Sequence, residues 1–283
     1  MALRNLLVYL DATAATDKRI DAAVSLAARH GAHLVALTCI GEFLMPGWTQ
    51  VPGDVLEHHR RLQEENAEAI LTRFRAQAER VGVPYETRIS HVASNEIGHE
   101  VALHARYSDL AILGQVDPDE VPSGGRHVVE QVALDCGRPV LVIPYIGAPE
   151  HGGAVHIGRN VMVAWDAGRE AARAVNDALP FLAAAESARL VVINPEAGGL
   201  RHGQEPGADI GLHLARHDIE VDVQTYDMPD LGPGDALLAQ VSDEGCDLLV
   251  MGAYGHSRMR ELVLGGATRT VLHQMTVPVL MSH

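Results

Sequence analysis

Short continuous runs of apolar residues alternate along the chain with longer segments whose apolar positions recur every three to four residues. Runs of the first kind read as strands buried on both faces, and the longer segments read as helices that cover them. Their regular alternation is that of successive βα units around a parallel sheet. In the first half the pattern predicts strands at 5–10, 33–40, 84–90, 108–114 and 139–144, with helices at 16–30, 55–81, 94–106 and 126–136. In the second half it predicts strands at 160–165, 189–194, 219–226, 247–252 and 277–281, with helices at 169–185, 207–217, 234–244 and 266–274. Between them, Ile146 to Gly153 is rich in glycine and proline and reads as a linker.

The two halves repeat one another in sequence as well as in pattern. Arg4-Asn5-Leu6-Leu7-Val8-Tyr9-Leu10-Asp11 is echoed by Arg159-Asn160-Val161-Met162-Val163-Ala164-Trp165-Asp166. Asp109 to Gly114 is echoed by Asp247 to Gly252, and Pro139-Val140-Leu141 by Pro278-Val279-Leu280. Three matches in the same order identify a tandem duplication. The first half alone carries an insertion, Gly41 to Gly53 with Trp48, which reads as an extended surface loop or a partner surface.

Composition fits this organisation. The chain has 283 residues, enough for about two domains. Aromatics are only 4%, so the cores must be filled by Ala, Val, Leu and Ile. A formal net charge of −15 repels phosphate backbones and anionic headgroups, so neither nucleic acid nor a membrane surface is expected as a partner. No apolar run is long enough to span a bilayer and Met1 to Leu10 lacks a signal-peptide pattern, which gives the expectation of a cytoplasmic protein. Cys39, Cys136 and Cys246 are odd in number and far apart, as reduced buried thiols would be.

The chemistry is concentrated between Met251 and Thr268, where a predicted strand leads into a predicted helix. Gly252 closes the strand without a Cβ, and Gly265 and Gly266 precede the last helix, whose first N–H groups and dipole favour an anion. From Gly252 to Arg269 there are three arginines, 258, 260 and 269, against Glu261, a balance of +2. The matching first-half loop, Gly114 to His127, sets Asp117, Asp119 and Glu120 against Arg126, a balance of −2. Read alone, the glycines equally suit a tight turn and the arginines a solvated face.

The duplication, the strand-terminal Asp166 and the pattern G-x2-G-x9-G at Gly252, Gly255 and Gly265 together resemble the universal stress protein family in its tandem form. The resemblance implies an α/β fold of two tandem domains, each a five-stranded parallel sheet flanked by helices, Rossmann-like and adenine nucleotide α-hydrolase-like. It implies a degenerate domain at 1–146, a nucleotide-binding domain at 157–283, and ATP, with magnesium as an optional companion, at the carboxyl ends of the strands. Carried onto this chain, Asp166 lies near the adenosine and any magnesium. Gly252 and Gly255 line the ribose and α-phosphate, Gly265 with Gly266 hold the outer phosphates, Arg258 offers charge to them, and Met251, His256 and Ala267 belong to the same cofactor-binding set. The family's hydroxyl after the last glycine is missing because Gly266 stands there, and Thr268 is the substitute. Adenine would be read at Asn194-Pro195, where Pro195 can contribute only its carbonyl.

In the first half Asp117 replaces the second glycine, which reads as a half whose work is packing. The last strands, 139–144 and 277–281, are unpaired edges in isolated halves, and the resemblance implies that they pair with each other as an internal pseudo-dimer, with a homodimer as a further option. Elsewhere, His213 and His217 are four apart on one helix face, so they raise a metal site against a simple exposed pair. Catalytic motifs are absent and Lys18 is the only lysine, so binding is favoured over turnover. Three functions follow: an ATP-binding stress-response or signalling module, a slow ATPase or metal-assisted hydrolase in the same pocket, or a nucleotide-free interaction scaffold.

Overall fold

The computed structural model describes residues 3–42, 53–120, 125, 127–195, 205–254 and 266–283. These form two compact units, Leu3–Arg138 and Pro139–His283. The insertion around Trp48 and the first-half segment Ser123-Gly124 lie outside the described residues.

In the unit Leu3–Arg138 the chain runs β1 (Asn5–Tyr9), α1 (Thr16–His30), β2 (His33–Glu42), α2 (Gly53–Val81), β3 (Tyr85–Ala93), a 3-10 turn (Ser94–Glu96), α3 (Ile97–Ala105), β4 (Leu110–Gly114) and α4 (Val128–Asp135). The strands are parallel in the order β4-β1-β2-β3. Leu6 pairs with both Leu34 and Leu110, and all three are fully buried. Helix α1 presents Ile20, Ala23, Val24 and Ala27 to this core and stops at Gly31, whose φ of 59° lets its N–H reach back to Ala27 and Ala28. Phe74 of α2 is fully buried and meets Tyr85 edge-on.

The unit Pro139–His283 contains β5 (Val140–Ile143), a short ribbon of β6 (Glu150–His151) and β7 (Ala154–Val155), β8 (Asn160–Ala164), α5 (Arg169–Asp177), α6 (Leu179–Leu182), β9 (Ser187–Ile193), α7 (Ala208–Ala215), β10 (Asp222–Tyr226), α8 (Pro233–Asp243), β11 (Leu248–Gly252), α9 (Gly266–Gln274) and β12 (Val279–Ser282). Its strand order is β10-β9-β8-β11-β12-β5, parallel from β10 to β12. Strand β5 runs antiparallel to β12, with Leu141 opposite Leu280, so the two strands expected as open edges pair with each other. Helix α7 approaches its strands through glycine: a Cβ on Gly207 would come within 2.8 Å of Leu190 and Val223.

Three expectations need correction. The strands are not all buried on both faces, because β3 and β10 are flanked by a strand on one side only within their units and alternate between partial and full exposure. The helix expected at 169–185 breaks into α5 and α6, since Pro180 has no N–H to continue the ladder. The stretch read as a bare linker carries the β6-β7 ribbon.

The duplicated motif explains itself at the amino ends of the strands. Asp247 is buried, and its carboxylate accepts the backbone N–H groups of Gly158 (3.1 Å), Arg159 (3.0 Å) and Asn160 (2.9 Å) at the start of β8. Asp109 accepts those of Arg4 (2.8 Å) and Asn5 (3.0 Å) before β1. Each aspartate therefore clamps the strand it precedes to the first strand of its own half.

At the carboxyl end of β1, Asp11 is buried and its Oδ2 lies 3.4 Å from the Arg19 guanidinium of α1, itself buried. Thr13 and Thr16 donate hydroxyl hydrogen bonds to its other oxygen (2.5 and 3.1 Å). Burial alone would raise the Asp11 pKa, but Arg19 and the two threonines outweigh it and hold the carboxyl below its ordinary value.

Two outcomes are expected. Asp247→Ala leaves three strand-start N–H groups without their acceptor and should lower the unfolding free energy by about 3 kcal/mol, read from urea denaturation. A depressed folded pKa means that the stability given by Asp11 is complete above the unfolded pKa, near 4, and drains away as pH falls through the folded value. The urea midpoint of Asp11→Asn should thus fall less than that of the natural chain between about pH 5 and pH 3; parallel declines would remove Asp11 from the acid response.

Candidate functional site

The carboxyl ends of β8 and β11 are adjacent because these strands pair directly, Val163 with Val250. Asp166 follows β8 by two residues and is half-buried, and its Oδ1 accepts the Gly168 N–H at 2.8 Å. Between them Ala167 has a φ of 54°, so the carboxylate is held by a tight turn that leads into α5. The carboxylate-to-backbone bond recurs in the first half, where Asp11 Oδ1 accepts the Thr13 N–H at 3.3 Å, though Ala12 between them is not left-handed.

Met251 is buried in β11, and Gly252 ends it. The close approach at Gly252 is to the chain itself, since a Cβ there would lie 2.6 Å from Ala171 N and 2.9 Å from Glu170 Cβ. Gly252 thus lets the first turn of α5 settle on the strand end beside Asp166. Glu170 in that turn is buried; burial raises its pKa, and the hydrogen bond from Arg169 (2.5 Å) with the charge of nearby His283 more than offsets this and holds it low.

The next two residues also face inward. Ala253 is fully buried and its carbonyl accepts from His283 Nδ1 at 3.0 Å, while Tyr254, with a φ of 64°, sets its ring 6.4 Å from that of His283. Gly255, His256, Arg258 and Gly265 lie outside the described residues. Helix α9 begins at Gly266, which is exposed, and a Cβ there would meet nothing within 4 Å. Ala267 is half-buried and Arg269 is exposed on the same turn. Thr268 is buried, and its Oγ1 accepts the Tyr254 N–H at 3.4 Å, which ties the end of β11 to α9.

Pro195 follows β9 and is half-buried. The preceding Asn194 has a φ of 49°, and its side chain accepts from Met228 N (2.6 Å) and donates to Met228 O (3.1 Å). This clamp was not foreseen from the sequence; an asparagine in the left-handed region directly after a strand was its signal.

In the first half, Glu120 of the acidic loop accepts the Ala14 N–H at 3.0 Å, and Asp117 Oδ1 accepts the Asp119 N–H at 2.9 Å. Burial, followed by the charge of Glu100, pushes the Cys39 thiol up to about 12, which keeps it protonated and unreactive near neutrality. His213 and His217 do meet, with ring centroids 4.9 Å apart, but no group of three or more His, Cys, Asp or Glu that could hold a metal occurs among the described residues. No helix among the described residues is long and apolar enough to cross a membrane.

Comparison with known proteins bears on this edge of the fold. Residues 158–283 match the model of the universal stress protein family. Universal stress protein Slr1230 of Synechocystis sp. is 48% identical over 46 residues, and universal stress protein MJ0577 of Methanocaldococcus jannaschii is 33% identical over 49 residues. The aligned stretches are short, covering 16% and 30% of those two proteins and 16% and 17% of this chain. The crystal structure of a universal stress protein from Archaeoglobus fulgidus DSM 4304 shares the fold over almost the full length, with a TM-score of 0.72, 18% identity, and coverage of 98% of this chain and 95% of that one. The repeated βα units, the strand-end turn at Asp166 and the matched sequence point the same way: residues 158–283 carry the chain's similarity to the universal stress protein family.

Proposed function

We propose that the second half binds an adenine nucleotide, ATP in particular, and that the protein is a nucleotide-binding stress-response or signalling module. The observation that carries this reading is the glycine series Gly252, Gly255 and Gly265, which joins β11 to α9 within the half that matches the family model. The geometry around it suits an anion. Gly266 opens α9 and is exposed, a Cβ there would meet nothing within 4 Å, and Arg269 is exposed on the same turn. Unpaired N–H groups at a helix start and a positive local balance attract phosphate.

The described residues refine the assignment of roles. Thr268 accepts the Tyr254 N–H and keeps its own O–H as a donor, so the outer phosphates are assigned to the backbone at Gly265, Gly266 and Ala267, to the Thr268 hydroxyl and to Arg258. Asp166 is assigned to the nucleoside end and to magnesium when it accompanies ATP, where its half-exposed carboxylate supplies a hard oxygen ligand. Pro195 is assigned to the base through its carbonyl, and Met251 and His256 to the wall of the pocket. In the first half, the matching groups are already engaged with one another.

Mass spectrometry of small molecules released from freshly purified, denatured protein should find adenine nucleotide, with one nucleotide per chain. Gly255→Asp should abolish binding. Arg258→Ala should weaken ATP by about ten- to hundredfold and AMP much less, because a charge-assisted bond to the outer phosphates contributes about 1.5 to 3 kcal/mol. Asp166→Ala should weaken both nucleotides in calorimetry. Equal losses for ATP and AMP in Arg258→Ala would return that arginine to a solvated loop, and two nucleotides per chain would refute the assignment to one half.

A further inference from the structure

Arg19 heads the large, fully buried side chains of the described residues. A buried guanidinium is costly unless its hydrogen bonds and charge are met. Here Nη1 donates to the Tyr9 carbonyl at 2.8 Å and lies 3.4 Å from Asp11 Oδ2. The same group packs so closely over Gly114 that a Cβ there would overlap it. Tyr9, Asp11, Thr13, Gly114 and Gln115 line the cleft at this end of the first unit.

The repeat makes the contrast sharp. Arg19 stands eight residues after Asp11, and the residue eight after Asp166 is Ala174, which is also buried. In the second half the space at Gly252 is taken by the first turn of α5 itself, through the backbone of Glu170 and Ala171 and the Glu170 Cβ. Three further side chains complete the first-half arrangement: Thr13 and Thr16 occupy the second oxygen of Asp11, and Glu120 occupies the Ala14 N–H.

We infer that Arg19 is a built-in cationic ligand of the first half's strand-end aspartate: its guanidinium lies under Gly114 and against Asp11, beside the carboxyl-edge cleft of Leu3–Arg138. The two halves have diverged in the sign of the charge they hold. This contrast rests on the nucleotide reading of the second half, whereas the ligation of Asp11 by Arg19 does not. Removing the side chain leaves a cavity beside a buried carboxylate, whose matching guest is a free guanidinium ion.

The test uses the full chain with Arg19→Ala and guanidinium chloride at low millimolar concentration, with sodium chloride as the control. The variant should be destabilised, and guanidinium at about tenfold over its dissociation constant should raise its Tm by about 3 to 5 °C. The natural chain should not respond. If Arg19→Ala unfolds during preparation, dilution from urea should recover severalfold more folded protein with guanidinium than with sodium. Asp11→Ala combined with Arg19→Leu removes both charges and should show no guanidinium response. The inference fails if Arg19→Ala gives neither a thermal shift nor better refolding, or if the double variant responds equally. No nucleotide enters these readouts, so loss of the nucleotide reading and loss of this one are separable.

Discussion

Everything at the functional edge depends on a carboxylate at the opposite edge. Asp109 and Asp247 each gather the N–H groups that start the neighbouring strand, which fixes β4 against β1 and β11 against β8. Strands rise by about 3.3 Å per residue, so a slip of one position would carry the far ends out of alignment and turn every side chain to the other face. With the start pinned, Asp166 and Gly252 emerge side by side, as do Asp11 and Gly114. An acid at one edge of the sheet therefore sets the geometry of the strand ends at the other.

From that shared frame the halves have moved apart by small changes. Both keep the aspartate's bond to the backbone between first strand and first helix. The first then spends its aspartate on Arg19 and two threonines, while the second places Ala174 at the same point and leaves Asp166 half-exposed. A single position within a helix face separates a buried ion pair from a half-exposed carboxylate. The difference in loop charge, −2 against +2, runs in the same direction.

Much of this was legible beforehand. Apolar runs located the strands to within a few residues, because strands buried on both faces leave a strong signal, and Gly31 marked the end of α1. The signal weakened where burial did: β3 and β10 carry Glu86, Arg88 and Asp222 among their residues and are partly exposed. Pro180 was visible as a helix breaker but was passed over inside a long apolar stretch. At the site, Asp166 and the glycines stood out by spacing, whereas the packing role of Gly252 and the commitment of Thr268 to Tyr254 depend on which turn of α5 and α9 faces the strand end. Arg19 gave one overlooked clue, a charged residue among Ile20, Ala22 and Ala23 in a helix face otherwise made for burial.

The antiparallel pairing of β5 with β12 gives the chain an unusual seam. Its two strands are four residues each and wholly buried, so either one laid bare would expose an apolar ribbon edge. The glycine- and proline-rich stretch around residues 146 to 153 invites cleavage as the natural joint, yet a protease acting there would not release a finished second half. It would leave β12 paired with a buried strand carried by a different fragment.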